Sequence, residues 1–341
     1  MNKFLKSTLA AAVVASAATA SFAQDVTLRV HHFMPEPSVL HANMLVPWAE
    51  RLADASDGRI AMELFGSMAL GGRPGDLYDQ AVDGAVDIIL TLPGYTAGRF
   101  PQTEVFELPF MMQNSVATSK AFWDKIESTL QDTDYEETHI LAGWVHGPGV
   151  IHSKDPIQSV DDLAGKEMRG PTRLATEMLG ELGATPVGMP LPGIPENLSK
   201  GVIRGAVVPW EIVPAIKLQE LVGHHTEIAG DRALYTATFI LAMNLDAYDD
   251  MPDDLRAILD AETGKILSEF AGTVQAAADE GGRASAVALG NTIATIEGAE
   301  LDRWISAADP IYNRWMTMAA GQGFDGQQAI EEARALIAAN Q

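Results

Sequence analysis

Arg169 is the residue whose type and setting most clearly suit binding chemistry, because it stands directly before Gly170-Pro171-Thr172 and a helix-forming run. A guanidinium at the end of a short strand presents a planar fork that matches a carboxylate in a way lysine does not. From spacing alone, a surface salt bridge remains an equal reading. Trp210 follows the apolar run Ala206-Val207-Val208-Pro209 and is either a stacking wall for a flat ligand or a cap on the core. His31-His32 and His224-His225 are adjacent pairs, whose members point to opposite faces of a strand and so cannot chelate together. One of the first pair, His32, is a candidate for the edge of a cleft, with an ordinary strand-end histidine as the alternative.

Signatures of catalysis are scarce. The eight histidines show no metal-ligand spacing, there is no cysteine, and neither a Gly-x-Ser-x-Gly elbow nor a Walker loop occurs. Gly321, Gly323 and Gly326 fit Gly-x-Gly-x-x-Gly but follow a helical run, which suits an interhelical turn better than a dinucleotide site. No cofactor or metal is expected. A formal charge of −23 repels phosphate backbones, so nucleic acid is excluded as a partner and individual arginines gain weight for anion binding.

Positioning these residues requires alternating strands and helices. Period-two or continuous apolar runs predict strands at 26–33, 60–64, 86–91, 139–146, 166–169, 184–187, 206–208 and 234–244. Helical spacing of Leu40, Met44, Trp48 and Leu52, and helices at 117–130 and 174–182, fill the intervals. From Pro252 onward the chain reads as Ala-rich, acidic and helical almost to its end. The pattern predicts an α/β fold with mainly parallel sheets and helices on both faces. At the start, Lys3 and Lys6 precede an apolar run and Ser21-Phe22-Ala23, the order of a secretory signal peptide cleaved after Ala23. Without cysteine there is no disulfide and no acylated lipoprotein anchor, so a free protein in a periplasm-like space is expected.

One long stretch carries a likeness to a known family. Ser159-Val160-Asp161-Asp162-Leu163-Ala164-Gly165-Lys166-Glu167-Met168-Arg169 resembles the segment leading to the signature arginine in solute-binding subunits of tripartite ATP-independent periplasmic (TRAP) transporters. Leu70-Gly71-Gly72, Asp83-Gly84-Ala85-Val86-Asp87, Glu107-Leu108-Pro109-Phe110 and Leu182-Gly183-Ala184-Thr185-Pro186 support it in order and spacing. The resemblance implies two lobes closing on a ligand, joined by crossing strands and a long helix. Residues 24–147 with about 236–270 would form lobe I, and 148–235 with about 271–341 lobe II. It further implies that Arg169 pairs with a substrate carboxylate and that separate membrane subunits, driven by an ion gradient, receive the ligand.

Two departures narrow the ligand. Gly149 stands where some relatives carry a second arginine, and in Gly201-Val202-Ile203-Arg204-Gly205-Ala206-Val207-Val208-Pro209 an aspartate is replaced by Arg204 and a polar residue by Val208. With Trp210 beside Val208, one carboxylate and an apolar or aromatic body are expected, of the benzoate type. Phe33, Tyr95 and Phe239, each near a strand edge, and Arg173, one turn beyond Arg169, complete the expected wall. A sugar acid or oxo acid is the alternative ligand, and an exported enzyme acting on small carboxylates is the competing class.

Overall fold

The structure is a computed structural model that describes residues 25–341; the expected signal peptide lies outside the described residues. Among the described residues, eleven strands form two sheets. They are β1 (Val26–His32), β2 (Ile60–Phe65), β3 (Ile88–Thr91), β4 (His139–Val145), β5 (Val150–Ser153), β6 (Glu167–Gly170), β7 (Thr185–Gly188), β8 (Gly205–Val208), β9 (His224–Ile228), β10 (Thr238–Met243) and β11 (Thr292–Ile296). The first sheet has the order β2-β1-β3-β10-β4 and the second β11-β9-β5-β8-β6-β7.

The βαβ segments give parallel pairs, β1 with β2 and β3 and β6 with β7 and β8. Antiparallel pairs arise where the chain changes sheets. It leaves the first sheet from β4 into β5 and returns from β9 into β10, so β10 opposes both β3 and β4 and β5 opposes both β8 and β9. Each sheet with its helices makes one lobe. The helix Lys265–Ala288 runs against β4 of one lobe and against the turn after β8 and β11 of the other, tying the two together.

One large core cluster runs through both sheets, beside a small second one of Met112, Val145 and Ala233. Trp48 of the helix Val46–Ala55, Trp144 of β4 and Trp304 and Trp315 of C-terminal helices are fully buried. Such aromatic burial, at about 25 cal/mol per Å² of apolar surface, stabilises a chain that has no disulfide. Two expectations need correction. The last third is not helical throughout, since Thr292–Ile296 adds β11 to the edge of the second sheet, in parallel register with β9. The C-terminal helices are also divided between the lobes. Glu300 of the helix Gly298–Ser306 accepts the Val160 N–H beside the second sheet at 2.6 Å, but the last helix, Gly326–Ala339, lies on the first-lobe helix Ser115–Ser128, where Lys125 pairs with Glu332 at 2.9 Å. No helix among the described residues is long and apolar enough to cross a membrane.

Candidate functional site

Local sequence sets Arg169 in place. Ser159 and Asp162 cap the short turn Val160–Leu163, and Gly165, at φ +69°, takes the left-handed conformation that turns the chain into β6. Arg169 there lies between β7 and β8, opposite Val187 and Ala206. Its side chain is 1% exposed. Nε donates to the Met189 carbonyl at 2.8 Å and Nη1 to the Val207 carbonyl at 2.9 Å, which fixes the fork. Burial lowers its pKa, and the groups opposing that shift are the phenols of Tyr95 and Tyr235 rather than any acid. Arg169 is thus a cation removed from water with no carboxylate beside it, a costly state unless an anion arrives.

The cleft in front of it lies between the facing edges of the sheets. From the first lobe come Phe33 and Met34 after β1, Leu92 and Tyr95 after β3, His146 after β4 and Phe239 of β10. The second lobe supplies Arg169, Val208 at the end of β8 and Glu211 and Ile212 of the turn that follows, and Tyr235 enters from the segment that leads into β10. The walls are mainly apolar and aromatic. Phe239 stacks on Trp144 at 5.5 Å with an interplanar angle of 7°, and Phe33 meets Tyr95 edge-on at 5.1 Å. Glu107, buried within the Glu107-Leu108-Pro109-Phe110 stretch, accepts the Thr238 N–H at 2.9 Å and the Thr238 hydroxyl at 2.7 Å, so it anchors the strand that carries Phe239.

The cleft is closed. Tyr95 Oη of the first lobe accepts the Leu191 N–H of the second at 3.0 Å. Arg173 reaches across to Glu104, with Nε donating to Oε1 at 3.0 Å and Nη2 to Oε2, while Nη1 holds Glu177 at 2.7 Å. Tyr95 and Leu191, and Arg173 and Glu104, therefore form interlobe latches.

Of the residues expected from sequence, the cleft brings together Arg169, Val208, Phe33, Tyr95 and Phe239. Three others lie elsewhere. Arg173 is spent on the Glu104 latch, because a half-buried guanidinium takes the nearest carboxylates. His32 points away from the cleft, with Nε2 2.9 Å from His41 Nδ1, and burial lowers its pKa to about 3. Trp210 turns to the far side of the loop, where its indole N–H donates to Glu227 at 2.9 Å and its ring rests on His152 and His225 at 4.9 and 4.8 Å. A buried indole needs such an acceptor, and the next residue, Glu211, enters the cleft instead.

His146, Glu211 and Tyr235 are wall residues that sequence reasoning does not single out, although His146 closes one expected strand and Tyr235 is the second residue of another. His146 is neutral, its pKa lowered to about 4 by burial. Tyr235 occupies the room a side chain at position 149 would need: a Cβ built on Gly149 would lie 1.9 Å from its Cε1.

Residues 30–318 match the family described as bacterial extracellular solute-binding protein, family 7. A TRAP solute-binding protein from Rhodoferax ferrireducens T118, solved with copurified benzoate, is 50% identical with a TM-score of 0.90, over 92% of this chain and 98% of that one. A marine metagenome TRAP solute-binding protein specific for aromatic acid ligands, solved with 3-hydroxybenzoate, is 41% identical with a TM-score of 0.91, over 94% and 100% of the two chains. The solute-binding protein RD1_1052 of Roseobacter denitrificans is 29% identical over 216 residues, 62% of this chain and 65% of that protein. With the two-lobed fold and the family match together, this chain belongs to the solute-binding proteins of TRAP transporters.

Proposed function

We propose that the protein captures an aromatic monocarboxylate of the benzoate type in the periplasm and delivers it to the membrane component of a TRAP transporter. The observation that carries this reading is a buried guanidinium without a counter-ion, set in a cleft whose other walls are mainly apolar and aromatic. The ligand carboxylate docks on Arg169, and its ring fills the space between Phe33, Leu92, Phe239, Val208 and Ile212. The benzoate and 3-hydroxybenzoate bound by the two similar solved proteins support the same class. The charged and apolar leader, with cleavage after Ala23, would export the chain, and the lack of cysteine leaves it without a lipid anchor. Binding and release complete its task without chemistry on the ligand.

Thermal-shift measurement with benzoate, 3-hydroxybenzoate, succinate and galacturonate tests this. A ligand at 100 times its Kd adds about 2.7 kcal/mol of stability, so the two benzoates are expected to raise the melting temperature and the others to leave it unchanged. A shift with succinate or galacturonate and none with the benzoates contradicts the reading.

Closure supplies a second test. The Arg173–Glu104 pair exists only when the lobes meet, and it is partly exposed, so its worth is about 1 kcal/mol after solvent screening. Arg173→Ala is expected to weaken benzoate binding by about three- to tenfold in calorimetry. Unchanged affinity would remove the latch from the account.

A further inference from the structure

We infer that Glu211 is a specificity-determining residue: its second carboxyl oxygen hydrogen-bonds a hydroxyl on the ligand's ring, so the preferred ligands are hydroxyl-bearing aromatic monocarboxylates. This rests on the aromatic-acid reading of the cleft. Glu211 lines the cleft and is 4% exposed. A relay from β4 fixes which of its oxygens is free. The Trp144 indole N–H only donates, so the Gln275 atom it meets at 2.9 Å is the amide oxygen. The Gln275 amide nitrogen then faces Glu211 and donates to Oε1 at 2.9 Å. Oε1 is occupied as an acceptor, while Oε2 is buried and has no hydrogen-bond partner. A polar atom left this way carries the full cost of its lost hydration.

Several other polar groups of the cleft are already committed. His146 donates from Nδ1 to the Gly147 carbonyl at 2.6 Å and accepts the Ala237 N–H on Nε2 at 3.0 Å. Tyr95 accepts from Leu191 and lies beside the Arg169 guanidinium, whose Nε and Nη1 are held by carbonyls. The charged and titratable groups around Glu211 are Asp279 of the long helix, which accepts its backbone N–H at 3.0 Å, Arg169 of β6, His146 after β4 and Tyr235 of the segment leading into β10.

Burial raises the Glu211 carboxyl to about 8, helped by the nearby Asp279. At neutral pH it is therefore a neutral acid whose O–H serves a ring hydroxyl. Above that range it becomes an anion sharing the cleft with the ligand carboxylate, and anion binding weakens.

The test is calorimetry of the full exported chain with benzoate, 3-hydroxybenzoate and 4-hydroxybenzoate, for wild type, Glu211→Leu and Glu211→Gln. Wild type is expected to favour at least one hydroxybenzoate over benzoate by about three- to tenfold, the range of one added neutral hydrogen bond. In Glu211→Leu that ratio falls to about one. Benzoate affinity of wild type declines from about pH 7 to about pH 9, and in Glu211→Gln the decline is gone. Should the leucine variant not fold, as read by its melting curve, the glutamine variant's pH profile decides. A wild type that binds benzoate without preferring either hydroxybenzoate, a preference that survives in Glu211→Leu, or a pH decline that survives in Glu211→Gln overturns the proposal. A wild type that binds none of the three overturns the aromatic-acid reading itself, and the role of Glu211 with it.

Discussion

Arg169→Ala is expected to lower the affinity for benzoate by roughly two to three and a half decades in titration calorimetry. Removing one partner of a buried ion pair costs about 3–5 kcal/mol, at 1.4 kcal/mol per decade. The upper part of that range applies because the guanidinium is 1% exposed and meets no protein carboxylate, so nothing else in the cleft takes over its role. Without ligand, the same substitution removes an uncompensated buried cation and is expected to leave the melting temperature unchanged or higher. That opposition between affinity and stability marks a binding residue. Arg169→Lys is expected to weaken binding too, since an ammonium cannot span the Met189 and Val207 carbonyls and still offer a fork to the ligand. A loss of less than fivefold for Arg169→Ala would contradict the assigned role.

Gly149→Ala is expected to lower both stability and affinity, although it adds one methyl group. That methyl carbon would fall 1.9 Å from Cε1, 2.2 Å from Cδ1 and 2.7 Å from Cζ of Tyr235. The ring has little room to retreat: Tyr235 is 2% exposed and meets His146 edge-on at 5.3 Å, and its carbonyl accepts the Gly149 N–H at 3.0 Å. Overpacking of this kind costs about 1–3 kcal/mol, read as a melting temperature lower by several degrees. Because the displaced phenol belongs to the cleft wall, benzoate affinity falls as well. Trimming the ring in Tyr235→Ala should relieve the clash, so the double variant loses less stability than the sum of the single ones. Additive losses, or a Gly149→Ala protein indistinguishable from wild type, would show that Tyr235 does not own that space.

The parts of the fold legible in the sequence were those with strong local signals. Strands β1 to β4 and the helix carrying Trp48 follow from runs long enough to show their period. Val150–Ser153 mixes Val150-Ile151 with His152-Ser153 and shows neither alternation nor a continuous apolar run, and Thr292–Ile296 is a short edge strand inside a helical stretch, so tertiary pairing decides both. The site divides in a similar way. Arg169, Phe33 and Val208 sit at strand ends, where ligands of α/β sheets gather. Trp210 is an aromatic beside an apolar strand, but its orientation depends on Glu227, His152 and His225, which only the fold brings beside it. Arg173 likewise finds Glu104, 69 residues away in the chain. Glu211 carries no local sign that one of its oxygens lies unpaired in a cleft.

The most direct measurement of the central claim is a crystal structure of the protein grown with benzoate. The account predicts the benzoate carboxylate on the Arg169 guanidinium, with charge-assisted contacts of about 2.8 Å and its ring between Phe33 and Phe239. A carboxylate bound elsewhere, with Arg169 still lacking an anionic partner, would contradict it.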